Sequence, residues 1–399
     1  MNAPPTPDTG QPEPEDDPWV GMGGGLEARL RALHAEIRQW PGLEWLDRIA
    51  VATLDSRDDT VRTFVQSNVG PNPFEGIAGR LADYPDLGRV GETGVPLIQG
   101  MAGGGPGAAS ASPGRRLARL GYQSRYVVRI HRQGSLYGFI FFNSRRPGFF
   151  TAAVVAALVP YRRLIDTLVV SELSSLRAML GAVQTALAVS HYRDEETGAH
   201  LDRMSHYARL VARRLASAEG LSDEYIEYLL QYAPLHDLGK VAIPDSILLK
   251  PGRLTEAEFA VMKTHVDKGV EIVDAMVRDQ GLAGLPRVDL LRNMVACHHE
   301  GFDGSGYPRG LAGEAIPLEG RIAAVADVFD ALTSRRPYKA AWSNEAAFAY
   351  MAEQAGRKFD PRCVAALLAE TDAVAAIQQR FQDAPEAGSG AQPGPPLRP

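Results

Sequence analysis

The stretch that most restricts how this chain can fold is Leu235-His236-Asp237-Leu238-Gly239-Lys240. It follows a helical pattern in which Ile226, Leu229, Leu230 and Ala233 recur at steps of three and four, so His236 and Asp237 are expected on the buried side. A carboxylate taken out of water without a partner costs several kcal/mol. Any fold must therefore bring Asp237 a cation, a hydrogen-bond network or a metal. Gly239 is expected to end the helix just past its last turn, leaving Lys240 at the rim of whatever His236 and Asp237 hold.

The same anomaly repeats along the chain. Glu196 and His200 lie four apart and share one side of a helix, whose face continues through Met204, Tyr207 and Val211. His265 is expected on a helix that opens with the capping box Thr255-Glu256-Ala257-Glu258, with Phe259 and Met262 on its buried face. His298-His299 closes a helix with the apolar face Leu291, Met294 and Val295, and Asp327 is embedded in the apolar run Ile322 to Phe329.

Each residue has an ordinary alternative. His265 can be a hydrogen-bonded core histidine, Asp327 a partner of Arg321 or Arg336, and Glu196 with His200 a solvated face. Five histidines, two aspartates and one glutamate on separate helices of one helical stretch argue instead for a shared task. Mixed imidazole and carboxylate ligands suit divalent iron, manganese or zinc. The set is too large for one ion with an open position, so at least two ions share it. Asp237, next to a ligand and able to use both oxygens, is the natural bridge.

Length and composition bound the rest. A chain of 399 residues is too long for one ordinary core, so two domains plus tails are expected. Its 45% apolar and 23% charged residues fit a soluble globular protein. A net charge of -6 argues against a broad DNA-binding surface. Only two cysteines, Cys297 and Cys363, point to a reducing cytoplasm. No uninterrupted apolar run reaches the length of a membrane span, and no signal segment is expected at the start.

In chain order, residues 1–25 and 384–399, rich in Pro and Gly, are expected to be disordered tails. A helix from Leu26 stops at Pro41. Strand signals follow at Ile49 to Leu54 and Thr60 to Val65, with a hairpin formed by Tyr126 to Ile130 and Leu136 to Phe142 around Arg132-Gln133-Gly134-Ser135. Gly103 to Ser110 reads as a flexible loop. Helix is expected from Ala152 to Tyr192, with Pro160 as a kink or a new start. There Leu173, Leu176, Leu180, Val183 and Leu187 have the spacing of a two-stranded coiled coil. The alternative is a helix packed on its own domain. Beyond Asp327, helices are expected from Asn344 and from Pro361 through Leu368.

Two resemblances organise these readings. The strands, the loop and the terminal hairpin ending Gly138-Phe139-Ile140-Phe141-Phe142-Asn143, ahead of a long helix, resemble a GAF-type sensor domain, without a sharp motif and without a haem or chromophore anchor. Further on, His236-Asp237 with Gly239-Lys240, His298-His299-Glu300 and Asp303-Gly304-Ser305-Gly306-Tyr307-Pro308 resemble the HD-GYP subgroup of the HD phosphohydrolases. The flanking Ile243-Pro244-Asp245, Leu249-Lys250-Pro251-Gly252, Asp327 to Thr333 and Arg336-Pro337-Tyr338-Lys339 agree.

The organisation implied is a multidomain chain: an α+β GAF-like domain over 26–160, a connecting helix over 161–192 and an all-α HD-type domain over 193–383. The activity implied is hydrolysis of cyclic di-GMP, to linear pGpG or on to GMP, regulated by the sensor domain. His236, Asp237, His265, His298, His299 and Asp327 would hold two divalent ions, most readily iron or manganese. Glu196 and His200 complete the cluster, and a glutamate at position 196 goes with a third ion. Lys240 would contact the phosphate, while Asp194, Arg336 and Lys339 would hold the guanine or phosphate end of the nucleotide. Gly306, Tyr307 and Pro308 form the loop linked in the family to substrate and to cyclase or adaptor partners, and a homodimer is expected.

The chain departs from the family at Gly301 and Phe302, where a large basic residue and a tryptophan are usual, which bears on the rigidity of that loop. Two other readings stand beside the phosphodiesterase: a non-catalytic adaptor binding cyclic di-GMP or a cyclase, and a hydrolase of another cyclic dinucleotide. A full ligand set favours an enzyme.

Overall fold

The computed structural model describes residues 25–55, 59–70, 77–101, 113–132, 134–191, 198–279, 287–335 and 340–382. The expected tails, the Gly103 to Ser110 loop, and Asp194, Glu196, Arg336 and Lys339 lie outside the described residues, as do the side chains of Val183 and Leu187. The chain forms two compact units that divide after Asp166.

The first unit is α+β. Helix α1 (Leu26–Ile37) buries Leu26, Leu30, Leu33 and Ile37 at helical spacing and packs on the sheet at β2. The strands are β1 (Arg48–Asp55), β2 (Thr60–Asn68) and the short β3 (Ala78–Arg80). Helix α2 (Pro85–Thr93), β4 (Leu97–Gly100), α3 (Pro113–Arg119), β5 (Ser124–Arg132) and β6 (Ser135–Ser144) follow. The strands pair antiparallel in the order β3-β2-β1-β6-β5-β4.

Alternation along the strands sends side chains to two buried faces. Ala50, Ala52 and Leu54 of β1 join Val127, Phe139 and Phe141 under Leu87 and Val90 of α2. On the other face Tyr126 stacks on Phe142, with ring centroids 5.5 Å apart. The expected hairpin is present, with Arg132 opposite Ser135. Helix α2 was not expected, since its sequence PDLGRVGET carries two glycines. It forms because Leu87, Val90 and Gly91 bury on the sheet, and a Cβ at Gly91 would already meet Leu136 at 2.9 Å. Tertiary packing overrides a poor local propensity here.

Helix α4 (Ala152–His191) runs on through Pro160, so no new helix starts there. Leu173, Leu176 and Leu180 are buried.

The second unit is all-α. It comprises α5 (Gly198–Glu219), α6 (Asp223–Tyr232), α7 (Asp245–Leu248), α8 (Glu256–Lys263), α9 (His265–Asp279), α10 (Val288–Cys297), α11 (Leu318–Thr333), α12 (Asn344–Glu353), α13 (Pro361–Leu368) and α14 (Thr371–Arg380). Helix α14, beyond Leu368, was not foreseen. Helix α5 is central, packing against α6, α11, α13 and α14. Met204, Tyr207 and Val211 line its fully buried face.

Two expectations about helix ends are corrected. The Thr255/Glu258 capping box opens α8, but that helix stops at Lys263 and His265 opens a separate helix, α9. Gly239 does not stop a helix: His236 and Asp237 lie between two short 3-10 turns, Ala233–Leu235 and Leu238–Ala242. Its smallness serves close approach, because a Cβ at Gly239 would lie 1.8 Å from the carbonyl oxygen of His265.

Candidate metal centre

The break between the two 3-10 turns that follow α6 aims His236 and Asp237 inward, and four further elements aim at the same spot. His200 comes from the first turn of α5, and His265 from the start of α9. His298 caps the C-terminal end of α10 with His299 following, and Asp327 comes from α11. The rings crowd together: His298 to His299 is 4.1 Å between centroids, His236 to His298 is 5.2 Å and His265 to His299 is 5.1 Å.

The ligand-type atoms form two groups, Asp237 with His265, His298 and His299, and His200 with His236 and Asp327. Within each group they lie within 4.8 Å of one another. Asp237 faces both groups. Its Oδ1 lies 3.0 Å from His265 Nε2 and 3.4 Å from His298 Nε2, while its Oδ2 lies 3.2 Å from His236 Nε2. His200 Nε2 is 3.8 Å from Asp327 Oδ1.

The histidines are oriented by their other nitrogen. Nδ1 of His236 faces the carbonyl of Ala233 at 2.9 Å, that of His265 the carbonyl of Met262 at 2.7 Å, and that of His298 the carbonyl of Val295 at 3.1 Å. An imidazole whose Nδ1–H is committed to a carbonyl presents a lone pair at Nε2. In the interior, the Nε2 atoms of His265 and His298 and Oδ1 of Asp237 make no hydrogen bond despite their closeness. Buried polar atoms left so are costly. Lone pairs converging without protons to share fit divalent cations of the nitrogen- and oxygen-loving kind.

Electrostatics points the same way. Burial, then the neighbouring His298, holds His299 far below the ordinary imidazole value, so it stays neutral. Burial opposes ionisation of Asp237, but Lys240 and His236 outweigh it and keep the carboxyl well below its usual range. Lys240 Nζ lies 2.9 Å from Asp237 Oδ2 at the edge of the centre. Cys297, beside His298, is a core residue packed with Ala296 and Ile316, its thiol pushed up to about 11 by burial.

Of the expected site residues, the structure brings together His200, His236, Asp237, Lys240, His265, His298, His299, Asp327 and Tyr307, whose ring stacks on His299 at 4.7 Å. Asp327 does not pair with Arg321, which bonds Asp360 at 2.5 Å instead. Two supporting residues were missed. Asp330, with no solvent exposure, accepts from His200 Nδ1 at 2.8 Å, and Arg203 donates to Asp330 from Nε at 2.7 Å. The signal was there: Asp330 follows Asp327 by three, one helical turn along the same buried face.

The loop of Gly306, Tyr307 and Pro308 is tied down despite Gly301. Glu300 accepts from the backbone N–H of Arg309 at 2.8 Å and of Leu311 at 3.0 Å, and Tyr307 N–H donates to His299. A Cβ at Gly306 would lie 2.0 Å from Gly301 N, so the two backbones pack directly on each other. Phe259 departs from expectation: it is 46% exposed and meets the edge of Tyr307.

Residues 195–363 match the family model described as HD domain. The cyclic di-GMP phosphodiesterase response regulator RpfG of Xanthomonas campestris pv. campestris (strain 8004) is 56% identical over 178 residues, 44% of this chain and 44% of that protein. The 3'3'-cGAMP-specific phosphodiesterase 2 of Vibrio cholerae is 44% identical over 191 residues, 48% of this chain and 34% of that protein. A GAF domain of a two-component sensor histidine kinase from Bacillus halodurans is similar with a TM-score of 0.30 and 15% identity, over 37% of this chain and 92% of that one. The chain spans about half or less of the length of the curated relatives it matches. Among the described residues, no helix is long and apolar enough to cross a membrane.

Proposed function

Because the C-terminal region of this chain belongs to the HD-GYP family of HD domains, we propose that the protein is a metal-dependent phosphodiesterase that opens cyclic di-GMP. The observation that carries this reading is the convergence of His200, His236, Asp237, His265, His298, His299 and Asp327 in two adjoining groups that share Asp237. In our reading these residues hold two divalent ions, iron or manganese, and Glu196 goes with a third. When bound, the ions supply the Lewis acidity that activates water and polarises the phosphodiester.

The chain's own residues do the rest. Asp237 offers one oxygen to each group and fixes their spacing. Lys240, at the edge, offsets charge that builds on the phosphoryl oxygens. The backbone-to-Nδ1 contacts hold the rings in one orientation, so no reorganisation is needed as substrate arrives. Asp194, Arg336 and Lys339 are assigned to the nucleotide's guanine or phosphate end, and Gly306, Tyr307 and Pro308 to substrate and to cyclase or adaptor partners. We assign the protein to the cytoplasm as a homodimer under control of its N-terminal α+β domain. The two buried free cysteines are in keeping with a reducing compartment.

A mixed cyclic dinucleotide is the second reading, favoured by the 3'3'-cGAMP-specific relative. One experiment tests both: anaerobic purification with elemental analysis, then chromatography of cyclic di-GMP and 3'3'-cGAMP digests. Two or three ions per chain with pGpG or GMP formed faster from cyclic di-GMP is the expected result. A metal-loaded protein that opens neither ring would overturn the reading.

A further inference from the structure

Phe259 stands beside the candidate metal centre with nearly half of its surface in water, although its spacing from His265 belongs to an apolar pattern. Its ring meets Tyr307 edge to face, with centroids 6.3 Å apart and planes at 80°. Tyr307 in turn stacks on His299 at 29°, so one aromatic contact separates Phe259 from the residue that abuts the metal groups. Lys263, one turn along α8, holds its ammonium 5.1 Å from the Phe259 ring centre and 5.6 Å from that of Tyr307.

We propose that Phe259 and Lys263 form a platform for one purine base of the cyclic dinucleotide. The base lies on the exposed face of Phe259, and Lys263 reaches the acceptor edge of guanine, N7 and O6. This assignment rests on the phosphodiesterase reading of the same centre and deepens it by naming a base-binding surface.

The chemistry fits on three counts. An exposed aromatic face next to a positive charge is the combination that holds nucleobases, through stacking and cation–π attraction. Lys263 has three donors and no acceptor, which matches the acceptor edge of guanine and repels the donor amino group of adenine. The position fits as well: the centre takes the phosphate, and a base attached through its ribose lies a few ångströms beyond, where Tyr307 and Phe259 stand. A cyclic dinucleotide carries two bases, so Asp194, Arg336 and Lys339 can serve one and this platform the other. A solitary exposed phenylalanine would need no explanation. One wedged against the ring that covers a metal ligand and shared with a cation does.

The test uses the full-length, metal-loaded protein and cyclic di-GMP. Phe259→Ala should raise KM about tenfold while kcat falls by less than about threefold, because stacking is made with the ground state and the transition state alike. Phe259→Trp should keep KM within about threefold of wild type, since it restores a stacking face. Its added indole emission, recorded by stopped flow against wild type before turnover, should be quenched on mixing with cyclic di-GMP. Lys263→Ala should raise KM for cyclic di-GMP severalfold. A KM within about twofold of wild type in Phe259→Ala, or an unquenched Phe259→Trp, would overturn the platform while leaving the phosphodiesterase reading intact. Should wild type open no cyclic dinucleotide, the phosphodiesterase reading falls, and the indole quench still decides whether the base binds here.

Discussion

Asp330 grips His200 through a carboxylate oxygen 2.8 Å from the imidazole Nδ1, and both side chains are buried. The same carboxylate takes two donors from Arg203, so its negative charge is fully used. Replacing it with asparagine leaves Arg203 buried beside a neutral amide and lets the His200 ring turn. Supporting carboxylates of this kind are worth about 10–100-fold in metal affinity. Asp330→Asn should therefore weaken metal binding by roughly that factor, as read by competition with a chromogenic chelator. It should also lower the thermal midpoint.

Among the described residues, Asp237 is the carboxylate that faces both groups of ligand atoms. Asp237→Ala should abolish hydrolysis and release at least one ion per chain, which elemental analysis will register. Retained activity with a normal metal content would show that the two groups do not depend on this bridge.

Gly239 sits where the Leu238–Ala242 3-10 turn and helix α9 touch. A methyl group there would come within 1.8 Å of the His265 carbonyl and 2.5 Å of Gly269 N, both of them backbone atoms that cannot swing aside. Overpacking of this kind costs about 1–3 kcal/mol. Gly239→Ala should lose at least that much in urea unfolding, and His265 should be displaced with it, so metal content is expected to fall in parallel.

Most of the centre was legible because its members break a pattern: His236, Asp237 and Asp327 are polar residues in apolar runs, and burial makes such breaks expensive. Phe259 was misread for the converse reason. An apolar residue at the right spacing is assigned to the core, and nothing local reveals that α8 ends at Lys263 and turns that face toward Tyr307. Helix α2 was invisible for a third reason, since Gly88 and Gly91 weaken it locally and only the sheet beneath pays them back. Asp330 lies three residues after Asp327 in the same helix, yet its partner His200 lies far away in sequence, and only the packing of α5 on α11 brings the two together.

Stability should depend on pH through Asp360, which is buried against Arg321. Burial works against its ionisation, but the Arg362 backbone N–H and guanidinium, with Arg321, more than compensate and lower its pKa. A carboxyl with a folded value below its unfolded value of about 3.9 stabilises the fold at any pH above that value. The contribution is lost as pH falls from there through the folded value. Asp360→Asn should thus be less stable than wild type at neutral pH. Its urea midpoint should change less with pH than that of wild type below about pH 4.

Glu300 joins the centre to the loop that borders it. It follows His299 directly, and its two oxygens accept from Arg309 N–H and Leu311 N–H, so the Gly306-Tyr307-Pro308 segment is held from within the same stretch of chain that supplies two histidines. Glu300→Ala removes both acceptors, and each backbone donor must find water or stay unsatisfied at about 1–3 kcal/mol. The amides of Arg309 and Leu311 should then exchange with solvent at least about tenfold faster, because the local opening energy drops by more than 1.4 kcal/mol. Tyr307 would lose its fixed place over His299, and KM for the cyclic dinucleotide should rise with the exchange rate. Protection left intact in Glu300→Ala would mean that the Gly306–Gly301 backbone contact alone suffices to hold the loop.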